Sequence, residues 1–170
     1  PRAPILTTQE AHVDLQTWMV VSTSVLARVA SVLSKDAQAA QYGALSENLR
    51  QTLLANFWDE QRQMFDDFYL DQNGAKQFDG HTGYLNFFPL FLGALEADDP
   101  RFETTVRKLV DPATGLWTDF GVRSLSSTDP YYKLGDDYWT SPIWMNINFL
   151  IVSALRKFSL DPSVESGLQA

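Results

Sequence analysis

A chain of 170 residues with 45% hydrophobic content has room for one domain with a real core. A net charge of −8, with no run of lysine or arginine, sets aside a nucleic-acid phosphate backbone as partner. The absence of cysteine excludes disulfide frameworks and thiolate metal sites, and the two histidines are too few for a convincing metal centre.

Along the chain, Leu15, Trp18, Met19, Ser22, Val25, Leu26, Val29, Val32 and Leu33 recur at helical spacing and predict a helix over 15–33. A second helix is predicted over 35–57, with Tyr42, Leu45, Leu49, Leu53, Leu54 and Phe57 on one stripe. The break at Ser34-Lys35-Asp36 is short, so the two should pair antiparallel. The alternation Met64, Asp66, Phe68, Leu70 before Asn73-Gly74 reads as a small hairpin. Residues 84–95 are expected to form an apolar helix in which Pro89 demands a kink or a late start. Asp99-Pro100 opens an amphipathic helix over 101–109. A loop from Asp111 to Trp139 follows; its aromatic content argues against disorder and its length for function. Pro142 then opens the last helix, with Thr140 or Ser141 as N-cap.

Helix pairs joined by elaborate loops, without strand–helix alternation, predict an all-α fold of the α/α toroid type carrying a small β-hairpin. Five or six helices are expected in all, with 161–170 as a polar tail.

Four blocks of sequence carry chemistry. Glu10 to Trp18, EAHVDLQTW, sets Glu10 and Asp14 four residues apart, one turn if the segment is helical. Like charges at that spacing cost a few tenths of a kcal/mol on an ordinary helix. Acids in a helix's first turn also favour its dipole, which is reason enough for them on its own. The other blocks are His81 to Leu90, HTGYLNFFPL; Leu116 to Tyr132, LWTDFGVRSLSSTDPYY; and Gly135 to Asn148, GDDYWTSPIWMNIN.

In this order the four blocks resemble glycoside hydrolase family 63, in particular the branch that trims N-glycan precursors. That branch carries wording close to E.H.DL..WM, H.GY..LFPL, LWSPYGLRSLS…DPYY and GENYWRGPIWININYL. The resemblance implies an inverting α-glucosidase on an (α/α)6 toroid that removes the terminal α-1,2-linked glucose of a glucosylated N-glycan. Such a toroid needs twelve helices, so the resemblance makes residues 1–160 about half of it, the C-terminal part of a larger catalytic domain. It places the protein in the endoplasmic reticulum lumen, held to a membrane only through a segment outside this chain. The partners implied are the oligosaccharide substrate and the remainder of the same catalytic domain, with no cofactor. The family's acid falls on Asp14, with Glu10 in the same site, where a second carboxylate helps the first hold its proton. Its base, the glutamate of GENYW, falls on Asp136, one methylene shorter, and its Arg-Gly after YW is Thr140-Ser141.

Trp139 and Trp117, in the loop, are candidates for stacking on a sugar face, with Tyr138 beside them. Trp18 and Trp144 lie on helices, as pocket wall or core. Arg123 fits either a sugar hydroxyl and carboxylate or a loop brace paired with Asp119 or Asp129. His81 fits either a cleft wall or a structural histidine. The Asp136 and Thr140 departures leave a second class open: a non-catalytic carbohydrate-binding or structural remnant of the fold. A bacterial-type enzyme acting on another α-glucoside is the further alternative.

Overall fold

The computed structural model describes residues 8–135 and 137–160; the expected base Asp136 and the tail 161–170 lie outside the described residues. Among the described residues five helices dominate: α1 Val13–Val32, α2 Asp36–Asn56, α3 Phe88–Phe91, α4 Arg101–Val110 and α5 Met145–Ser159. Seven short strands lie between and before them: β1 Glu10–Ala11, β2 Trp58–Asp59, β3 Met64–Phe65, β4 Phe68–Leu70, β5 Lys76–Phe78, β6 Trp117–Thr118 and β7 Gly121–Val122. Among the described residues no helix is long and apolar enough to cross a membrane.

α1 and α2 pair antiparallel, as their short connection requires. Gln16 Nε2 donates to Leu49 O at 2.9 Å and Ser46 Oγ to Val20 O at 2.9 Å. The reversal between them is a Schellman turn: Lys35 N–H reaches Ala30 O and Ser34 N–H reaches Ser31 O, with Ser34 at φ 55°. The face of α1 that packs inward is small and β-branched: Val13, Thr17, Val20, Thr23 and Ala30. Its threonines are tolerated there because Thr17 Oγ1 donates to Val13 O and Thr23 Oγ1 to Met19 O, one turn back. The more apolar stripe read from the sequence faces out instead, with Leu15, Met19, Val25 and Leu33 exposed and Val32 at 84% exposure.

The remaining core is aromatic and lies under α3, α4 and α5. Phe102 meets Phe158 edge-on at 4.7 Å, and Phe65, Phe87, Leu90, Leu109 and Leu116 are fully buried. The expected helix over 84–95 is shorter. Tyr84–Phe87 is a 3-10 turn, Pro89 sits in the first turn of α3 and suits its late start, and Gly93 at φ 73° follows its end at Phe91. The last helix also starts later than expected. Its N-cap is Trp144, and Pro142 stays outside, where its carbonyl accepts from Ser124 N–H at 3.0 Å.

The single expected hairpin is two. β2 pairs with β3, and β4 pairs with β5 through a turn in which Asp71 Oδ1 accepts from the Asn73 and Ala75 amides. β4 also pairs with β1, setting Glu10 opposite Tyr69 and Ala11 opposite Phe68. Within the loop that follows α4 stands a third hairpin, β6–β7. Asn148 of α5 clamps it, accepting from Val122 N–H at 2.8 Å and donating to Val122 O at 3.0 Å.

Candidate active site

Glu10 and Asp14 are not one helical turn apart. Glu10 belongs to β1 and α1 begins only at Val13, because the pairing with β4 holds Glu10 extended. The like-charge pair expected on one helix face is thus replaced by a strand–helix corner, with His12 at the bend. His12 Nε2 lies 3.6 Å from Glu10 Oε2, and His12 Nδ1 lies 3.3 Å from Asp67 Oδ2. Asp67 uses its other oxygen, Oδ1, to accept Val13 N–H at 2.7 Å, capping α1 from 54 residues away. Asp14, in the first turn, is half-buried beside that cap.

Beneath the corner lies a carboxyl pair that sequence reasoning missed. Asp66 is buried with Arg62 against Oδ2, the Gly80 amide at 3.1 Å and Asn86 Nδ2 at 3.2 Å from Oδ1. Burial, and then the neighbouring Asp79 carboxylate, push the Asp66 carboxyl up to about 8 despite Arg62. Burial likewise raises Asp79. The neutral Asp66 therefore hydrogen-bonds to Asp79 instead of repelling it. The signal for this cluster in the sequence is Asp66-Asp67 inside an apolar alternation: two carboxylates do not enter a core without partners.

The seam continues into the aromatic loop. Asp79 Oδ1 accepts His81 N–H at 3.0 Å, and His81 Nδ1 lies 2.9 Å from Asp129 Oδ2. The His81 ring meets Tyr131 edge-on at 5.1 Å. Arg62 Nη2 donates to His81 O and Thr82 Oγ1, tying the same segment down. Asp129 is therefore the partner of His81 and not of Arg123. Arg123 braces the loop differently: Nη1 donates to Gly115 O at 2.9 Å and the guanidinium sits 6.0 Å from the Tyr132 ring centre.

The candidate sugar-facing aromatics form a shelf. Trp139 stacks on Trp144 at 5.3 Å and 19°, and Tyr138 stands edge-on to both, at 4.9 Å and 4.6 Å. Trp139 is 64% exposed, so one face of the stack is open. Trp117 stands apart on β6, half-exposed. Trp18 contacts Phe88 edge-on at 6.3 Å and is 44% exposed. A shallow groove along the solvent face of α2, lined by Glu47, Asn48, Gln51 and Thr52, holds none of these groups.

The profile of the glycosyl hydrolase family 63 C-terminal domain matches residues 1–169. A probable mannosyl-oligosaccharide glucosidase of Schizosaccharomyces pombe is 38% identical over 155 residues, covering 91% of this chain and 19% of that protein. The mannosyl-oligosaccharide glucosidase of Saccharomyces cerevisiae is 30% identical over 160 residues, covering 93% of the chain and 19% of that protein. The chain thus spans about a fifth of the length of the curated relatives it matches. Among solved structures, the family 63 mannosylglycerate hydrolase of Thermus thermophilus in complex with glucose superposes with a TM-score of 0.71 at 18% identity. That superposition covers 94% of this chain and 34% of that one. A sialidase superposes with a TM-score of 0.77 at 14% identity, over 96% of this chain and 15% of that one. With the profile covering nearly its whole length, the chain belongs to glycosyl hydrolase family 63.

Proposed function

We propose that this chain is part of the catalytic domain of an inverting α-glucosidase that removes the terminal α-1,2-linked glucose from a glucosylated N-glycan precursor. What carries the reading is one coincidence. Within one family-63 chain stand an acid-and-imidazole seam that reaches Asp129 and Tyr131 and, further along the same loop, an open shelf of stacked aromatics. The named relatives from the two yeasts supply the substrate class. The compartment that follows is the endoplasmic reticulum lumen, with any membrane attachment outside these residues.

Inversion needs an acid on the leaving oxygen and a base on a water across the ring, with carboxyl groups about 6.5–9.5 Å apart. In this reading Asp136 is the base, Asp14 the acid and Glu10 a neighbour acting through His12. Trp139, Tyr138 and Trp144 supply the stacking surface, and His81, Arg123 and Trp117 shape the surrounding loop. The toroid reading gives the exposed stripe of α1 a role as well: it is the face that further helices of an (α/α)6 ring would cover.

The test is glucose release from a glucosylated oligosaccharide by the full-length protein and by Asp136→Ala and Asp14→Asn. Loss of turnover by about 10³-fold or more in each supports the pair. A smaller loss in Asp14→Asn with a raised KM makes Asp14 a sugar-binding group. It then sends the acid to the part of the domain this chain does not span. Asp136 in place of glutamate and Thr140 in place of arginine favour a second reading, a carbohydrate-binding module; sugar binding without any release supports that one.

A further inference from the structure

We propose that Asp67 is a positioning residue of this site, acting through His12; the proposal rests on the glycosidase reading above. Asp67 is 5% exposed, lies between β3 and β4, and divides its two oxygens between two tasks. Oδ1 accepts Val13 N–H at 2.7 Å, and Oδ2 lies 3.3 Å from His12 Nδ1. The residue at the N-cap position of α1 is His12, whose own side chain makes no cap hydrogen bond. The function usually given to a local serine or aspartate has therefore been moved to a residue between two strands distant in sequence.

That transfer has a geometric consequence. A local cap would fix only the helix end. Asp67 fixes the helix end and the imidazole together, and the imidazole's other nitrogen faces Glu10 Oε2 at 3.6 Å. One buried carboxylate therefore sets where Glu10 stands on the strand side of the corner and where Asp14 stands one residue past the clamped amide. Asp67 is itself held from behind: its carbonyl accepts Asp79 N–H at 3.1 Å, and its amide donates to Asp66 Oδ1 at 2.9 Å. Displacements of about 1 Å in such a constellation cost turnover steeply, so a clamp of this kind acts on rate.

Capping and positioning separate in Asp67→Asn. The amide oxygen still accepts Val13 N–H, while an NH2 replaces the carboxyl oxygen facing His12. In the full-length protein we expect Asp67→Asn to keep its thermal midpoint within about 2 °C while kcat/KM for glucose release falls at least tenfold. His12→Gln should show the same loss, and the double variant should be no worse than His12→Gln alone, because both act through one ring. Full activity in Asp67→Asn, additive losses in the double variant, or an activity loss that only tracks lost stability overturns the proposal. Should Asp67→Asn fail to fold, His12→Gln decides alone, since it leaves the Val13 cap in place: full activity at an unchanged midpoint overturns it.

An unsubstituted protein that neither releases glucose nor binds a glucoside removes the glycosidase reading instead. The clamp is then read from the ring ¹⁵N resonances of His12, assigned by their loss in His12→Gln. They shift in Asp67→Asn if Asp67 holds the ring, and unchanged resonances overturn it.

Discussion

The buried pair Asp66–Asp79 makes stability fall as pH rises, and Asp66→Asn should weaken that dependence. An ordinary aspartate in the unfolded chain loses its proton near 3.8, whereas folded Asp66 keeps it to about 8. Between those values the native state binds one proton more than the unfolded state. The slope of unfolding free energy with pH is then negative, and going from pH 5 to pH 7 costs on the order of 2–3 kcal/mol. The sign is that of a raised carboxyl: below the unfolded value the two states carry equal protons, and stability drops as pH climbs toward the folded value. Asp71 and Asp99, whose carboxyls are lowered by backbone amides and by Arg101 respectively, act in the opposite sense, but near and below pH 4 and so outside this window. Asparagine at 66 supplies a neutral donor to Asp79 and cannot titrate. Urea unfolding of both proteins at pH 5, 6 and 7 gives the slopes, and the difference between them isolates Asp66 from the two histidines. Coincident slopes would mean that Arg62 holds Asp66 ionised throughout and would refute the reasoning.

Two further outcomes follow from single contacts. Asn148→Ala leaves the Val122 amide, 1% exposed, without its acceptor and should cost about 1–3 kcal/mol in urea unfolding; a change under about 0.5 kcal/mol would show that α5 does not anchor the β6–β7 hairpin. Gly83→Ala places a Cβ 2.5 Å from the Ser124 carbonyl oxygen, where backbone meets backbone and neither can swing away. A loss of more than about 2 kcal/mol is expected from parting the two backbones, and a midpoint equal to the parent's would contradict the close approach.

The amphipathic elements were legible because their signals are local. Helix α4 was expected over 101–109 and runs Arg101–Val110, and the α1–α2 pair and the Asn73-Gly74 turn stand where spacing and turn chemistry put them. The family was legible for the same reason, in blocks read along the chain. The inner face of α1 was not. A scan for apolar period selects Leu15, Met19 and Leu26, while the surface packed against this chain's own helices is Val13, Thr17, Val20 and Thr23. Small β-branched residues allow the close approach, and their hydroxyls are satisfied by carbonyls that a periodicity scan does not see.

The site divides along the same line. Residue types and order are properties of the sequence: it holds acids at 10 and 14, paired acids at 66 and 67, and aromatics at 138, 139 and 144. That Glu10 lies on a strand, that Asp67 caps a helix 54 residues away, and that Asp66 keeps a proton beside Asp79 were decided only by the tertiary structure. The reason is physical. Strand pairing, helix capping across the chain and desolvation all depend on what stands opposite a residue in space, and neighbours along the chain do not carry that information.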